Sequence, residues 1–413
     1  MTSHVAFGTS QDCVCCNNPW SKKAADQFSI MCGDCTPVQA ETDSAIDPKN
    51  FDNSTSPADN FFTYANGGWQ ANNPIPPEYP NWNTFLELHT QNQERIKNLL
   101  NALSSSGDDE TKTAAALQGE ARLVSIYYKT ALDEAAIEAA GHVKPLEAVM
   151  AQCTAARATE DRARVLGEFA SKFGMNFFFG VGAGPDNTNS NHCIAQIGQS
   201  GLGLPDRDYY FDEDKADKRE LYKTHIANML SLLDPEVYTE QVAAKTAESI
   251  YTIEVQIAAS HMTKTERRDP IATYNKMSMA ELTELCSGVF DFGSYFVALG
   301  KENSDAVGAV NVRNIEAIKT TATVVMTLSA DDICHYLKWH SISNLAHYLP
   351  KRFVDEDFEF FQKTLSGTKE IKPRWKRAIS YTESALGEAL GKMYCEKYFD
   401  ENCKTRAFAI VER

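Results

Sequence analysis

The sequence predicts a mainly α-helical protein with one small β-hairpin, and three observations carry that expectation. Apolar residues recur at helical spacing over residues 84–103, at Phe85, Leu88, Ile96, Leu99, Leu100 and Leu103. Two further long segments, 111–140 and about 373–398, hold a helical pattern without an internal proline. Residues 175–198 are the exception. Two short runs, MNFFFGVGAG and HCIAQIG, are aromatic or β-branched and flank the polar PDNTNSN, the pattern of a two-stranded hairpin with a polar loop.

Taken in order, residues 1–46 lack apolar periodicity, are rich in small and polar residues and form a separate tail. Turn and cap residues in DPKNFDNSTSP mark its end. A short helix is expected from Asp59 to Ala65, with Gly67 and Gly68 as its C-cap and Trp69 as a large buried anchor. The proline-rich NNPIPPEYP is an extended connector, because proline bars a helix both at its own position and just before it. After the 84–103 helix and an SSSGDD loop comes an Ala-rich helix over 111–140, with Leu117, Leu123, Ile126, Tyr127 and Leu132 near one stripe. Beyond the hairpin, SGLGL makes a tight turn, and helices resume at 218–233 and 235–262. In the last long helix, Arg374, Lys376 and Arg377 are expected to form a solvated face around a core-facing Trp375. Residues 404–413 look like the opening turns of an amphipathic helix with no cap after them, which predicts a chain cut short in mid-element.

A chain of 413 residues can bury a sizeable core, and its length suits two to three domains. Lys plus Arg is 40 and Asp plus Glu is 56, a net charge of −16, which argues against nucleic acid and against an anionic membrane surface as partners. No apolar run is long enough to cross a bilayer, and the N-terminus has neither a basic n-region nor an h-region. These features predict a soluble chain, with the cytoplasm as its default compartment.

Catalytic signatures are missing. None of the nine histidines is followed by Glu or lies four residues from another, so there is no H-E-x-x-H helix to hold zinc. His335 and His340 are five apart and fall on different helix faces. GQSGL misses the last glycine of a nucleophile elbow, and no phosphate loop is present. Asp206, Asp208, Asp212, Glu213 and Asp214 crowd one loop, where solvation and local pairing with Arg207 are expected in place of a cation. One metal-like spacing exists: Cys13, Cys16, Cys32 and Cys35 fit a two-knuckle structural zinc site, with Cys15 as a competing ligand. The six other cysteines are unpatterned and are expected to be reduced, small buried side chains.

The segment DNFFTYANGGWQANNPIP, residues 59–76, closely resembles the opening of the neprilysin and endothelin-converting-enzyme family of zinc metallopeptidases. Further matching blocks follow in order: ALDEAAIEAAG from 131, GLGLPDRDYY from 201, ERRDPIATYNKM from 266, YLKWHSISNLAHYL from 336, and KTLSGTKEIKPRWKRAI with LGEALGKMYCEKYF over 363–399. The resemblance covers about 47–413 and implies two largely helical lobes around a cavity that admits peptides. It implies that residues 47–105 contribute to a thermolysin-like catalytic lobe, that 106–395 form a multi-helix lid lobe, and that 396–413 begin the partial catalytic lobe. The family's N-A-F-Y segment, zinc ligands, general base and transition-state histidine have no counterpart in this sequence. At the edge of the family's cleft an Arg is common. Asn81 stands at that position here, beside Trp82, and cannot make the charged, two-pronged contact of a guanidinium. Trp82 and Phe85 are expected to pack, and Arg267, Arg268 and Asp269 to form a buried hydrogen-bonded junction between helices.

The resemblance therefore implies the N-terminal region of a zinc metalloendopeptidase, inactive alone, with zinc and peptide substrates belonging to the completed protein. The alternative is a non-catalytic helical module that binds peptides or a partner.

Overall fold

In the computed structural model the described residues are 47–104, 119–158, 161–300 and 307–412. Cys13, Cys16, Cys32 and Cys35, the SSSGDD loop beyond Ser104 and the start of the expected 111–140 helix lie outside them. Chain contacts separate two units, one ending at Pro74 and one beginning at Ile75.

In the first unit a single turn, Pro48–Asn50, is capped by Asp47, which accepts a hydrogen bond from Lys49 N. Helix α1, Phe61–Asn72, starts where Asn60 accepts from Thr63 N. It runs straight through Gly67 and Gly68, so these are not a C-cap. They are there for contact: a Cβ on Gly67 would stand 2.7 Å from Asp52 Cβ, and one on Gly68 would collide with the Lys49 and Phe51 carbonyls. The 48–52 segment crosses the helix at the glycine pair, and Asp52 N bonds to Tyr64 O at 2.7 Å. Trp69 is half-buried, where a buried anchor was expected.

The second unit continues with α2, Thr84–Ser104, and α3, Gly119–Leu132. The expected 111–140 helix is interrupted at Asp133, whose carboxylate accepts from Ala136 N and starts α4, Glu134–Ala140. Then come α5, Val143–Ala158, and α6, Arg162–Phe173. The hairpin is present as β1, Phe179–Asp186, and β2, Asn189–Gln199. Its connection is shorter than expected, because Asp186 pairs directly with Asn189 and accepts from Thr188 N at 3.0 Å. Most of PDNTNSN is therefore strand. Next are α7, Ala216–Leu233, and α8, Glu240–Ala258. The latter starts later than its sequence pattern, since Asp234 holds Glu236 N and Val237 N in a turn.

Two strands escaped sequence analysis, β3, Lys276–Ser278, and β4, Ala309–Val312. They extend the hairpin into a sheet of order β1-β2-β4-β3, antiparallel except for the β2–β4 pair. Between them lie α9, Met279–Leu285, and α10, Phe292–Ala298. After them come α11, Ile315–Thr327, α12, Ala330–Leu345, and α13, Lys351–Asp357. The main core forms where α5 packs on α12, α6 on α10 and α7 on α8. Trp339, Tyr336, Phe169, Phe178, Phe179 and Phe292 fill it, and Ile197, Val310 and Val312 close it from the sheet. The last helices are α14, Arg374–Tyr398, kinked at Leu386 just before Gly387, and α15, Glu401–Val411. A smaller second core joins α2, α3 and α14 through Leu99, Leu100, Val124, Tyr128, Ile379 and Leu390.

Candidate functional site

The start of α14 organises the region around Asn81 and Trp82. Lys376 is buried, and its ammonium donates to Glu78 Oε1 at 3.0 Å. Burial pushes the Glu78 carboxyl upward, but hydrogen bonds from its own backbone amide and from Lys376 outweigh that and hold it below the ordinary range. Pro77 O accepts from both Lys369 N and Glu370 N. Arg374 Nε donates to Ala131 O at 2.6 Å, and Arg377 reaches Glu134 at 3.2 Å. The expected solvated basic face is thus a set of buried or half-buried ties. Trp375 is half-buried, with Lys97 4.0 Å above its ring. Each of these cations finds a carboxylate, carbonyl or ring face near, which sequence alone does not display.

Tyr79 is buried beneath this loop, and its hydroxyl meets Thr90 Oγ1 at 3.2 Å. Trp82 leans on it with ring centres 5.1 Å apart, so Trp82 packs, as expected, and Asn81 is held out in solvent. Phe85 does not pack: it is 82% exposed.

A groove of about 450 Å³ opens beside α3 and α14. Leu123, Ile126, Tyr127, Ile137, Tyr348 and Leu386 line it, the last of these at the kink of α14. Leu123 and Ile126 were expected in a buried stripe, but α3 buries Val124 and Tyr128 instead and leaves those two exposed. Helix α15 buries no residue, and Phe408, Ile410 and Val411 stand in solvent. Exposed apolar side chains of this kind are what partner surfaces cover.

Arg267, Arg268 and Asp269 do not form a buried junction. All three are exposed, and Asp269 accepts from Ile271 N and Ala272 N, closing its own turn. Arg267 instead borders a small hollow with Gly198, Thr273 and Arg313. In the acidic loop Asp206 is buried and pairs with Lys264 at 2.6 Å, whereas Arg207 lies over the Phe211 ring. Of the body cysteines, Cys153, Cys286 and Cys334 are buried, while Cys193, Cys395 and Cys403 are exposed. Burial pushes the Cys153 thiol up to about 12, which keeps it protonated and unreactive.

Sequence analysis missed a sealed polar cluster in the main core. Glu254 is wholly buried and accepts from the Tyr210 and Tyr222 hydroxyls at 2.8 and 2.9 Å, with His340 Nε2 3.0 Å away. Its signal was a carboxylate inside the apolar stripe Ile250, Ile253, Ile257. Enclosed on every side, this cluster organises the core and offers no entry to a substrate. His335 is tied separately to the Tyr238 hydroxyl at 2.8 Å. Among the described residues no group of three or more His, Cys, Asp or Glu side chains is placed to hold a metal ion, so they do not fit a catalytic zinc. No helix among them is long and apolar enough to cross a membrane.

Comparison with known proteins places this geometry. Residues 57–413 match the model for the N-terminal part of peptidase family M13. Human endothelin-converting enzyme 1 is 29% identical over 389 residues, covering 91% of this chain and 47% of its own length. Mouse membrane metallo-endopeptidase-like 1 is 24% identical over 95% of this chain and 52% of its own. Among solved structures, the Mycobacterium tuberculosis zinc metalloprotease Zmp1 in complex with an inhibitor superposes with a TM-score of 0.79 at 31% identity, covering 89% of this chain and 54% of that one. The chain thus spans about half the length of the relatives it matches.

Proposed function

Because the chain belongs to peptidase family M13, we propose that it supplies the substrate-enclosing N-terminal half of a zinc endopeptidase, and that peptide hydrolysis requires a C-terminal half bringing the zinc ligands and general base. In this reading residues 106–395 form the lid lobe, while 47–105 and 396–413 belong with the catalytic lobe. Asn81 and Trp82 stand at the cleft edge, where the neutral amide gives no charged grip on a peptide carboxylate. Cys13, Cys16, Cys32 and Cys35 would at most hold a structural zinc, in a site closed by four thiolates and so not catalytic.

The observation that carries this reading is the uncovered apolar surface on α3, α14 and α15, with Leu123, Ile126, Phe408 and Ile410 open to solvent. Such a surface suits a large partner face better than a small peptide. The test is an assay of the purified 413-residue chain with quenched fluorescent peptides and added zinc. No chelator-sensitive cleavage is expected until an M13 catalytic half is supplied in trans. Chelator-sensitive cleavage by the chain alone would overturn the proposal.

A further inference from the structure

The four-stranded sheet has a free edge, and that edge borders a hollow. In the order β1-β2-β4-β3, strand β1 is paired on one side only. Ile197 of β2 accepts from Arg313 N at 2.8 Å, so its backbone groups turn towards β4. Val181 stands opposite Ile197, and in an antiparallel pair such partners both turn their N–H and C=O away from each other. Val181 and, two residues on, Ala183 therefore aim backbone donors and acceptors out of the sheet. Among the described residues no backbone group from outside the hairpin meets them. Exposed edges are normally guarded by charge, by proline or by brevity. Strand β1 spans eight residues and carries neither charge nor proline before Pro185.

A hollow of about 490 Å³ follows this edge, bordered by Gly180, Val181, Gly182 and Ala183 on β1 and by Gln196 and Arg313 behind them. Residues of both faces of β1 border it, so it wraps the edge. A second hollow of about 180 Å³ shares Gly180, Thr273 and Arg313 with the first and adds Arg267. Both arginines are exposed and make no ion pair among the described residues. The nearby Asp186 is held by Lys276 at 2.6 Å and by the Tyr274 hydroxyl, and Asp269 is spent on its own turn. On a chain of net charge −16, this wall is locally cationic.

We propose that the β1 edge is a peptide-docking subsite that takes an extended peptide as an added strand, through the backbone of Val181 and Ala183, and holds a carboxylate of that peptide on Arg313 with Arg267 beside it. Main-chain pairing supplies affinity without sequence preference, and the arginines supply direction and selectivity. The inference rests on the reading of this chain as the peptide-handling half of a peptidase. It also supplies the charged contact that Asn81 lacks.

The test is a fluorescence-anisotropy titration of the 413-residue chain with three labelled probes: Thr-Val-Thr-Val-Thr-Gly as the free acid, the same peptide as its amide, and Thr-Val-Thr-Val-Glu-Gly as its amide. An acidic form is expected to bind about tenfold more tightly than the uncharged amide, as for one charge-assisted hydrogen bond. Which acidic form wins tells whether a terminal or a side-chain carboxylate is held. Arg313→Gln removes that advantage. Ala183→Pro, tolerated where an edge N–H faces outward, weakens all forms. A probe N-methylated at alternate residues loses binding to the unaltered protein, whatever the fate of the proline variant. Equal binding of all three probes, full binding of the N-methylated probe, or no binding at millimolar peptide would each overturn the proposal. Cleavage after a catalytic half is supplied is scored separately. Binding without any cleavage sinks only the peptidase reading, and cleavage with unchanged Arg313→Gln binding sinks only the subsite.

Discussion

Lys376 donates to Glu78 across 298 positions of sequence, at 3.0 Å and largely out of solvent. This pair fastens the 75–83 connector, with Asn81 and Trp82 on it, to the first turn of α14. Removing one partner of a shielded ion pair leaves the other charge uncompensated. Lys376→Met is expected to cost about 3 kcal/mol, near the low end for a buried pair because Glu78 keeps some water. Urea unfolding followed by tryptophan fluorescence checks this. Because the Glu78 carboxyl is held below its ordinary value, the contribution is full at neutral pH and fades as pH falls through the acid range. A loss below about 0.5 kcal/mol would mean the pair is merely superficial.

Asp357, at the end of α13, has the opposite sign. Burial, with the neighbouring Glu356 charge adding to it, pushes its carboxyl up to about 6 from an ordinary 3.8. The folded state then favours the protonated form, so this group's contribution is present at low pH and is lost as pH rises from about 4 to about 6. Asp357→Asn should flatten that part of the stability profile and gain up to about 3 kcal/mol at pH 7, as follows from a shift of this size. Thermal melts across that range decide the matter, and a variant that tracks the parent protein at every pH refutes it.

Leu123 and Ile126 are exposed in this chain, so the double substitution L123E/I126E should move the chain's own stability by no more than about 0.5 kcal/mol. The same change places two charges in the apolar groove. It is expected to abolish association with an M13 catalytic half, measured by analytical ultracentrifugation. Retained association would remove the groove from the interface.

Gly68 faces the Lys49 carbonyl with no room for a methyl group. Gly68→Ala should cost about 1–3 kcal/mol locally, the usual range for overpacking, by driving the 48–52 segment off α1. Faster hydrogen exchange at Asp52 N, which bonds to Tyr64 O, is the specific readout.

These sites show what a sequence displays and what it conceals. Helix α2 was legible almost to its ends because Ile96, Leu99 and Leu100 repeat at the period of the structure that buries them. Strands β3 and β4 were not, since three or four residues cannot establish an alternation. Gly67 and Gly68 were misassigned because glycine serves equally as a helix cap and as a point of close approach. Only the crossing of the 48–52 segment distinguishes the two. The exposed Arg267 and the buried Lys376 reversed their expected places for a similar reason. Each sits in a basic cluster, and what decides its burial is a carboxylate far away in the chain: Glu78 for Lys376, and for Arg267 none among the described residues. The free edge of β1 was invisible until β4 was seen to pair with the far side of β2.

The second core joins Leu99 and Leu100 of α2 to Ile379 and Leu390 of α14. A contact between segments so distant closes a very long loop, and its entropy is lost before any burial repays it. On the ribosome, α2 emerges early and waits for α14 until nearly the whole main lobe has been synthesised. Such a topology predicts that the main core condenses before the three-helix bundle docks, with Leu99, Leu100 and Val124 exposed in the interval.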